Sequence, residues 1–239
     1  MLYNLNPEDV LYLDIEAVPQ YPVYSEMPEL FRKLWDRKCE SFRGEDSPGD
    51  VYERAGIYAE FGRIICISAG VITQKKGERI YRVKSFYDED ERKLIASFNE
   101  MLERFMSYPG RCLCAHNGQE FDYPFIARRT LINGLRLPNV LNMAGLKPWE
   151  MKEKLLDTMQ LWKFGDFRSY TSLSLMCAVF QIPTPKDDID GSQVARVYYE
   201  EGDLERIARY CEKDTLAVAN LILRFKGEAI IEAGNMEIA

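Results

Sequence analysis

The apolar pattern of this chain predicts a mixed α/β sheet flanked by helices, and three observations carry that expectation. Short apolar runs of strand length alternate with helix-period segments through the first two-thirds of the sequence. The last third reads as helical. With 239 residues, 46% of them hydrophobic and 12% aromatic, there is enough apolar material for one large core, which excludes a disordered chain. A single domain over 1–239 is the expected organisation, with no internal repeat and no low-complexity tract.

Val10–Ile15 is a continuous apolar run, read as a buried strand. The polar, Pro-rich segment after it, about 19–62, reads as an insertion, a lid or substrate-side lobe. It contains a helix over Met27–Cys39 and a loop at Gly44–Gly49. Ile64–Ile72 is a second buried strand; Lys75-Lys76-Gly77 makes a turn, and Arg79–Tyr87 is a third strand, polar enough to lie nearer an edge. Leu94, Phe98, Met101, Leu102 and Phe105 fall on one face of a helix that Pro109-Gly110 ends. Cys112–Ala115 is a fourth strand, followed by a turn at Asn117-Gly118 and a helix from near Asp122 with Pro124 in its first turn. Leu137–Glu153 reads as loop, and Leu155-Leu156-Asp157 as the end of a fifth strand. Helices follow: one capped by Thr171 or Ser172, a short one over Ser192–Glu200, and a long one over Asp203–Phe225. Leu204, Ile207, Ala208, Cys211, Val218, Leu221, Ile222 and Phe225 give the long helix its apolar stripe.

Composition narrows the chemistry. The 31 basic and 38 acidic side chains leave a net charge of −7, which argues against binding nucleic acid by bulk positive charge. An enzyme that cuts nucleic acid is still compatible, because cation-loaded carboxylates attract phosphate. No run approaches the 18 or so apolar residues of a membrane span, and MLYNLNPEDVLYLDIE lacks the pattern of a signal peptide. Six cysteines without a CxxC pair fit a reduced, cytoplasmic protein. The single histidine, His116, removes multi-His zinc sites, so the chemistry is expected to run on carboxylates.

Three places set an acid where the local pattern predicts burial. In Leu11-Tyr12-Leu13-Asp14-Ile15-Glu16 the acids are two apart on a strand and project from one sheet face. Like charges that close repel unless a cation lies between them, and a divalent metal suits oxygen ligands; alone, the pair better suits a strand end emerging into solvent. Asp122 falls where a helix starts, a common N-cap position, and Asn117-Gly118 suits a tight turn. In the long helix Tyr210 and Asp214 share the face of Ile207, Ala217 and Leu221, which fits either a structural hydrogen bond or a site.

Together, the D-x-E of Asp14 and Glu16, the N-G-x-x-F-D ending at Asp122 and the Y-x-x-x-D of Tyr210 and Asp214 resemble the three motifs of the DEDD 3′–5′ exonuclease superfamily. The tyrosine (DEDDy) branch is the match: the other branch places a histidine five residues before the last acid, and Arg209 stands there. The resemblance runs from Leu11 to about Phe225 and is strongest to stand-alone bacterial proteins related to the exonuclease domain of family-B DNA polymerases. Lys147-Pro148-Trp149 and the stretch Ile182–Ser192 also look like that subgroup. The resemblance implies a ribonuclease H-like fold with a mixed five-stranded sheet. It implies hydrolysis of mainly single-stranded DNA from the 3′ end, releasing nucleoside 5′-monophosphates. Asp14, Glu16, Asp122 and Asp214 would then hold two Mg²⁺ or Mn²⁺ ions about 4 Å apart, with Asp14 bridging. Tyr210 would place the attacking water; with an ordinary pKa of about 10 it orients rather than deprotonates.

Asn117, Phe121 and Lys186 are the expected substrate contacts, although a turn role competes for Asn117 and a core role for Phe121. Arg128-Arg129, Lys147 and the cluster Arg32, Lys33, Arg37 and Lys38 read mainly as solvated faces. Cys112 and Cys114 share a strand face without further metal ligands and read as core; Trp35, Trp149 and Trp162 carry no assignment. The competing functions are an RNA-directed exonuclease, a small-oligonucleotide phosphodiesterase, and a catalytically silent nucleic-acid-binding module. The last usually lacks one of the four acids, and all are present. Nucleic acid is the expected partner and a membrane is not; no protein partner is indicated.

Overall fold

The middle of the sheet is a ten-residue strand, β1 (Val10–Pro19). The structure, a computed structural model, describes residues 2–147, 150, 154–166, 168, 170–183 and 188–239. After β1 comes α1 (Glu29–Cys39), then β2 (Gly62–Lys75), antiparallel to β1. Pairing continues to Pro19 opposite Gly62, which carries β1 four residues beyond its apolar run. The turn to β3 (Glu78–Tyr87) uses positive φ at both Lys76 and Gly77, the geometry that joins twisted strands tightly.

α2 (Glu91–Met106) is capped by Asp90, whose carboxylate accepts the amides of Arg92 and Lys93. β4 (Cys112–Ala115) lies parallel to β1 and leads to α3 (Asp122–Ile132); β5 (Leu155–Asp157) lies parallel to β4. Then come α4 (Thr158–Lys163), α5 (Leu173–Phe180, capped by Ser172) and α6 (Val194–Arg196), which runs into a π-helical turn to Glu201. α7 (Leu204–Phe225) is capped by Asp203, and β6 (Met236–Ile238) closes the order β5-β4-β1-β2-β3-β6.

Among the described residues the sheet therefore has six strands where five were expected. Met236-Glu237-Ile238 is too short and too polar to show as an apolar run, yet it pairs with Tyr81–Val83, so β3 is internal there rather than an edge. The six-residue α4 also escaped the periodicity. Lys186, Pro148 and Trp149 lie outside the described residues.

Strand alternation sorts β1 between two layers. Leu11, Leu13 and Ile15 pack with Ile95, Phe98, Phe125 and Ile126 of α2 and α3. Val10 and Tyr12 pack with Cys112, Cys114 and Leu156 under Val218 and Ile222 of α7, so the two cysteines of β4 are core. Asp14 and Glu16 are the next residues on the α7 side. Within the 20–61 segment, Trp35 sits among Phe42, Tyr52, Tyr58 and Phe61 at centroid distances of 5.4–6.2 Å, a small aromatic core at the carboxyl end of β1. Arg129 ties this lobe down. Buried and paired with Glu91 of α2, it also donates to Ala59 O at 2.9 Å and Gln20 Oε1 at 3.3 Å, so it is no solvated charge.

Candidate active site

β1 delivers Asp14 and Glu16 to one face. Immediately after Glu16 the register with β2 shifts: Glu16 stands opposite Cys66 and Ala17 opposite Ile64, leaving Ile65 as the extra residue of a bulge. Such a bulge re-aims side chains next to it. α7 covers the same face, with Tyr210 and Asp214 buried one turn apart and joined by a hydrogen bond from the phenol to the carboxylate. Cys211, between them in sequence, donates its thiol to Asp14 O and Asp14 Oδ2, each at 3.4 Å. Ligand atoms of Asp14, Glu16 and Cys211 lie within 4.8 Å of one another.

Asp122 reaches this cluster from the start of α3. It is the first helical residue rather than the N-cap, a position held by Phe121, and it is 2% exposed, with no hydrogen-bond partner for Oδ1 among the described residues. Asn117 adopts a left-handed backbone at φ 62°, so turn chemistry accounts for it, while its side-chain Oδ1 is buried without a partner among the described residues. Gly118 is obligatory here, because a Cβ would fall 2.5 Å from that of Ala115 and 3.0 Å from the Tyr123 ring. Phe121 is half-buried, with its ring 5.3 Å from that of Phe125 and packed on the core.

Asp157 organises this turn, a role that the sequence reading did not assign. Its Oδ1 accepts the amides of Asn117 (3.0 Å), Met159 (2.9 Å) and Gln160 (3.3 Å), and its Oδ2 that of Gln119 (3.1 Å). One buried carboxylate thus caps α4 and fixes the loop leading to Asp122. The available signal was an acid closing the Leu155-Leu156 run just before a helix.

The electrostatics are those of crowded acids. Burial, then the charges of Asp122, Asp214 and Glu16, push the Asp14 carboxyl well above the ordinary range. Burial is also the main force raising Asp122 to about 8, with Asp157 and Asp214 adding to it. The Tyr210 phenol is driven up by burial, then by Asp214, Glu16 and Asp14, and stays protonated. The cluster unites Asp14, Glu16, Asp122, Tyr210 and Asp214, with Asn117 and Phe121 on the loop that brings in Asp122.

Among solved structures, the fold matches that of the family B DNA polymerase from the hyperthermophilic archaeon Pyrobaculum calidifontis, with a TM-score of 0.54 at 16% identity. The match covers 90% of this chain and 24% of that one, so the chain spans about a quarter of the polymerase's length. At that identity the likeness concerns the fold, which is ribonuclease H-like. A family model, described as a predicted 3′–5′ exonuclease related to the exonuclease domain of PolB, matches residues 57–230. That is well over half of the 239 residues, and the chain belongs to this family of predicted 3′–5′ exonucleases.

Proposed function

We propose that the chain is a metal-dependent 3′–5′ exonuclease of the tyrosine branch, removing nucleoside 5′-monophosphates from mainly single-stranded DNA. The observation that carries this reading is the convergence of Glu16, Asp122, Asp214 and Tyr210 around Asp14, in a family described as predicted 3′–5′ exonucleases. The DNA preference rests on the kinship with DNA polymerases.

The residues fit divalent cations. The carboxylates form a hard oxygen donor set, Asp122 Oδ1 is buried without a hydrogen-bond partner among the described residues, and the other three acids each raise the pKa of Asp14. Unbalanced acids this close oppose one another's ionisation. In this reading Asp14, Glu16, Asp122 and Asp214 hold two Mg²⁺ or Mn²⁺ ions. Bound there, the ions lower the pKa of a water and stabilise charge on the leaving 3′ oxygen.

The protein's own part is positional. The Cys211 thiol, kept neutral by burial, orients the Asp14 carboxylate. The Tyr210 hydroxyl gives its proton to a hydrogen bond with Asp214, which leaves its oxygen lone pairs to accept from the attacking water and aim it. A phenol held protonated is no general base at neutral pH, so orientation is its role. Asn117 offers a buried carbonyl oxygen beside the terminal nucleotide, and Lys186 and Phe121 complete the proposed substrate contacts.

Direction of attack is read by labelling one oligonucleotide at either end. The 3′ label is expected to leave first, as a mononucleotide, while the 5′ label stays in long products. Early release of the 5′ label, or internal fragments, contradicts the reading.

A further inference from the structure

The face of the sheet turned away from the acids carries a cluster of cations. Ala69 and Val71 of β2 pack in the layer of α2 and α3, and in the antiparallel ladder they stand opposite Lys84 and Arg82 of β3. Residues directly opposed share a sheet face, so both cations lie on the α2 side, where Phe86, two residues on, also packs. α2 ends at Met106, and near its last turns the sheet lies open as a shallow hollow of about 420 Å³, with Ala69 and Gly70 in its lining. Arg104 of α2 and Arg111, just ahead of β4, bring two more cations to it. Among the described residues no acidic side chain lines the hollow, in a chain whose net charge is −7.

Arg111 is set in place without a ligand. Its guanidinium donates to Phe105 O at 3.2 Å and lies 4.4 Å from the ring centroids of both Phe105 and Tyr108. The rest of its N–H fork is the shape that grips a phosphate. Arg82, Lys84 and Arg111 make no ion pair among the described residues. Arg104 meets Glu100 only at 3.9 Å, with both side chains 75% exposed, a pairing worth little. Gathered cations without an acid favour an anion between them. Tyr108 is 61% exposed, so its contact with Arg111 leaves much of the ring free.

A nucleotide answers both halves of this arrangement. Its phosphate monoester carries about −1.5 to −2 charge at pH 7, and its base is a flat ring of the kind that stacks on tyrosine and guanidinium planes. The volume falls in the range of small-ligand clefts. Acids border the cluster: Glu100 stands by Arg104, and Glu237, level with Arg82 on β6, is turned to Lys75. The positive field is thus confined to the hollow, which suits a free nucleotide better than a strand, whose backbone needs cations along its course.

We propose that this hollow is a second nucleotide site, in which Arg82, Lys84, Arg104 and Arg111 take the phosphate of a free nucleoside monophosphate and Tyr108 stacks on its base. It lies across the sheet from Asp14 and Glu16 and does not depend on the exonuclease reading.

The test is equilibrium dialysis of the full chain against labelled dAMP in EDTA and low salt, where metal-free acids repel phosphate. Saturable binding is expected, with deoxyadenosine and inorganic phosphate each competing about tenfold more weakly than dAMP. Arg82→Glu, a change at an exposed position, and Tyr108→Ala should each weaken dAMP about tenfold, whereas only Arg82→Glu should weaken inorganic phosphate. Asp14→Ala should leave dAMP binding as it is. Absence of saturable binding, binding indifferent to Arg82→Glu, or binding lost with Asp14→Ala overturns the site. Oligodeoxyadenylate that displaces the label better than dAMP at equal nucleotide concentration assigns the cations to a strand and overturns the free-nucleotide reading.

Discussion

Asp14 lies where three other acids meet, and its protonation reports the state of the site. Tyr210→Phe keeps the ring and loses the hydroxyl, so turnover should fall about 100-fold while divalent-ion affinity, measured by calorimetry, changes little. Full activity would remove the water-orienting role. The metal-free protein should also show its acids in its pH dependence. Asp122 titrates near 8 when folded and at about 3.9 when unfolded. Between those values the native state holds a proton that the unfolded state has released, so stability falls as pH rises from about 4 to about 8. Thermal melts in EDTA should show that decline. Asp122→Asn should flatten it, and a melt that instead rises across the window would contradict the crowding.

At the scale of elements, the loop from β4 to α3 depends on Asp157. Asp157→Ala leaves four amides without their acceptor and should cost about 2–4 kcal/mol in denaturant unfolding, with a loss of activity larger than the loss of fold. Arg129→Met leaves Glu91 buried and unpaired and should cost about 3–5 kcal/mol. Early proteolysis within 20–61 is the expected sign that the lobe has come loose. Much of this frame was legible in the sequence. Val10–Ile15, Ile64–Ile72 and Cys112–Ala115 are apolar runs that only buried strands explain, and Asp14 and Glu16 stood out because they break such a run. β6 and α4 were not legible, since their few residues have no period of their own and form only against neighbours. Asp157 was visible as a strand end, but its four amide partners come from two segments that sequence does not place together. Arg129 looked like half of a surface charge pair, and only the packing of α2, α3 and the lobe makes it internal.

For the molecule as a whole, charge and site pull in opposite directions. A protein of net charge −7 should bind single-stranded DNA weakly in EDTA and markedly better with Mg²⁺, and added monovalent salt should weaken the Mg²⁺-dependent binding only modestly. Strong, steeply salt-dependent binding in EDTA would point to a basic track elsewhere. Among the described residues no helix is long and apolar enough to cross a membrane. The central claim is that the crowded acids perform 3′–5′ hydrolysis. Its most direct measurement incubates 5′-labelled single-stranded DNA, and the same sequence as RNA, with Mg²⁺ or Mn²⁺ and either wild type or Asp14→Ala. A metal-dependent ladder shortening from the 3′ end is expected, faster on DNA and absent in the variant. Neither polymer shortened by a folded, metal-binding wild type, or an equal ladder from Asp14→Ala, would contradict it.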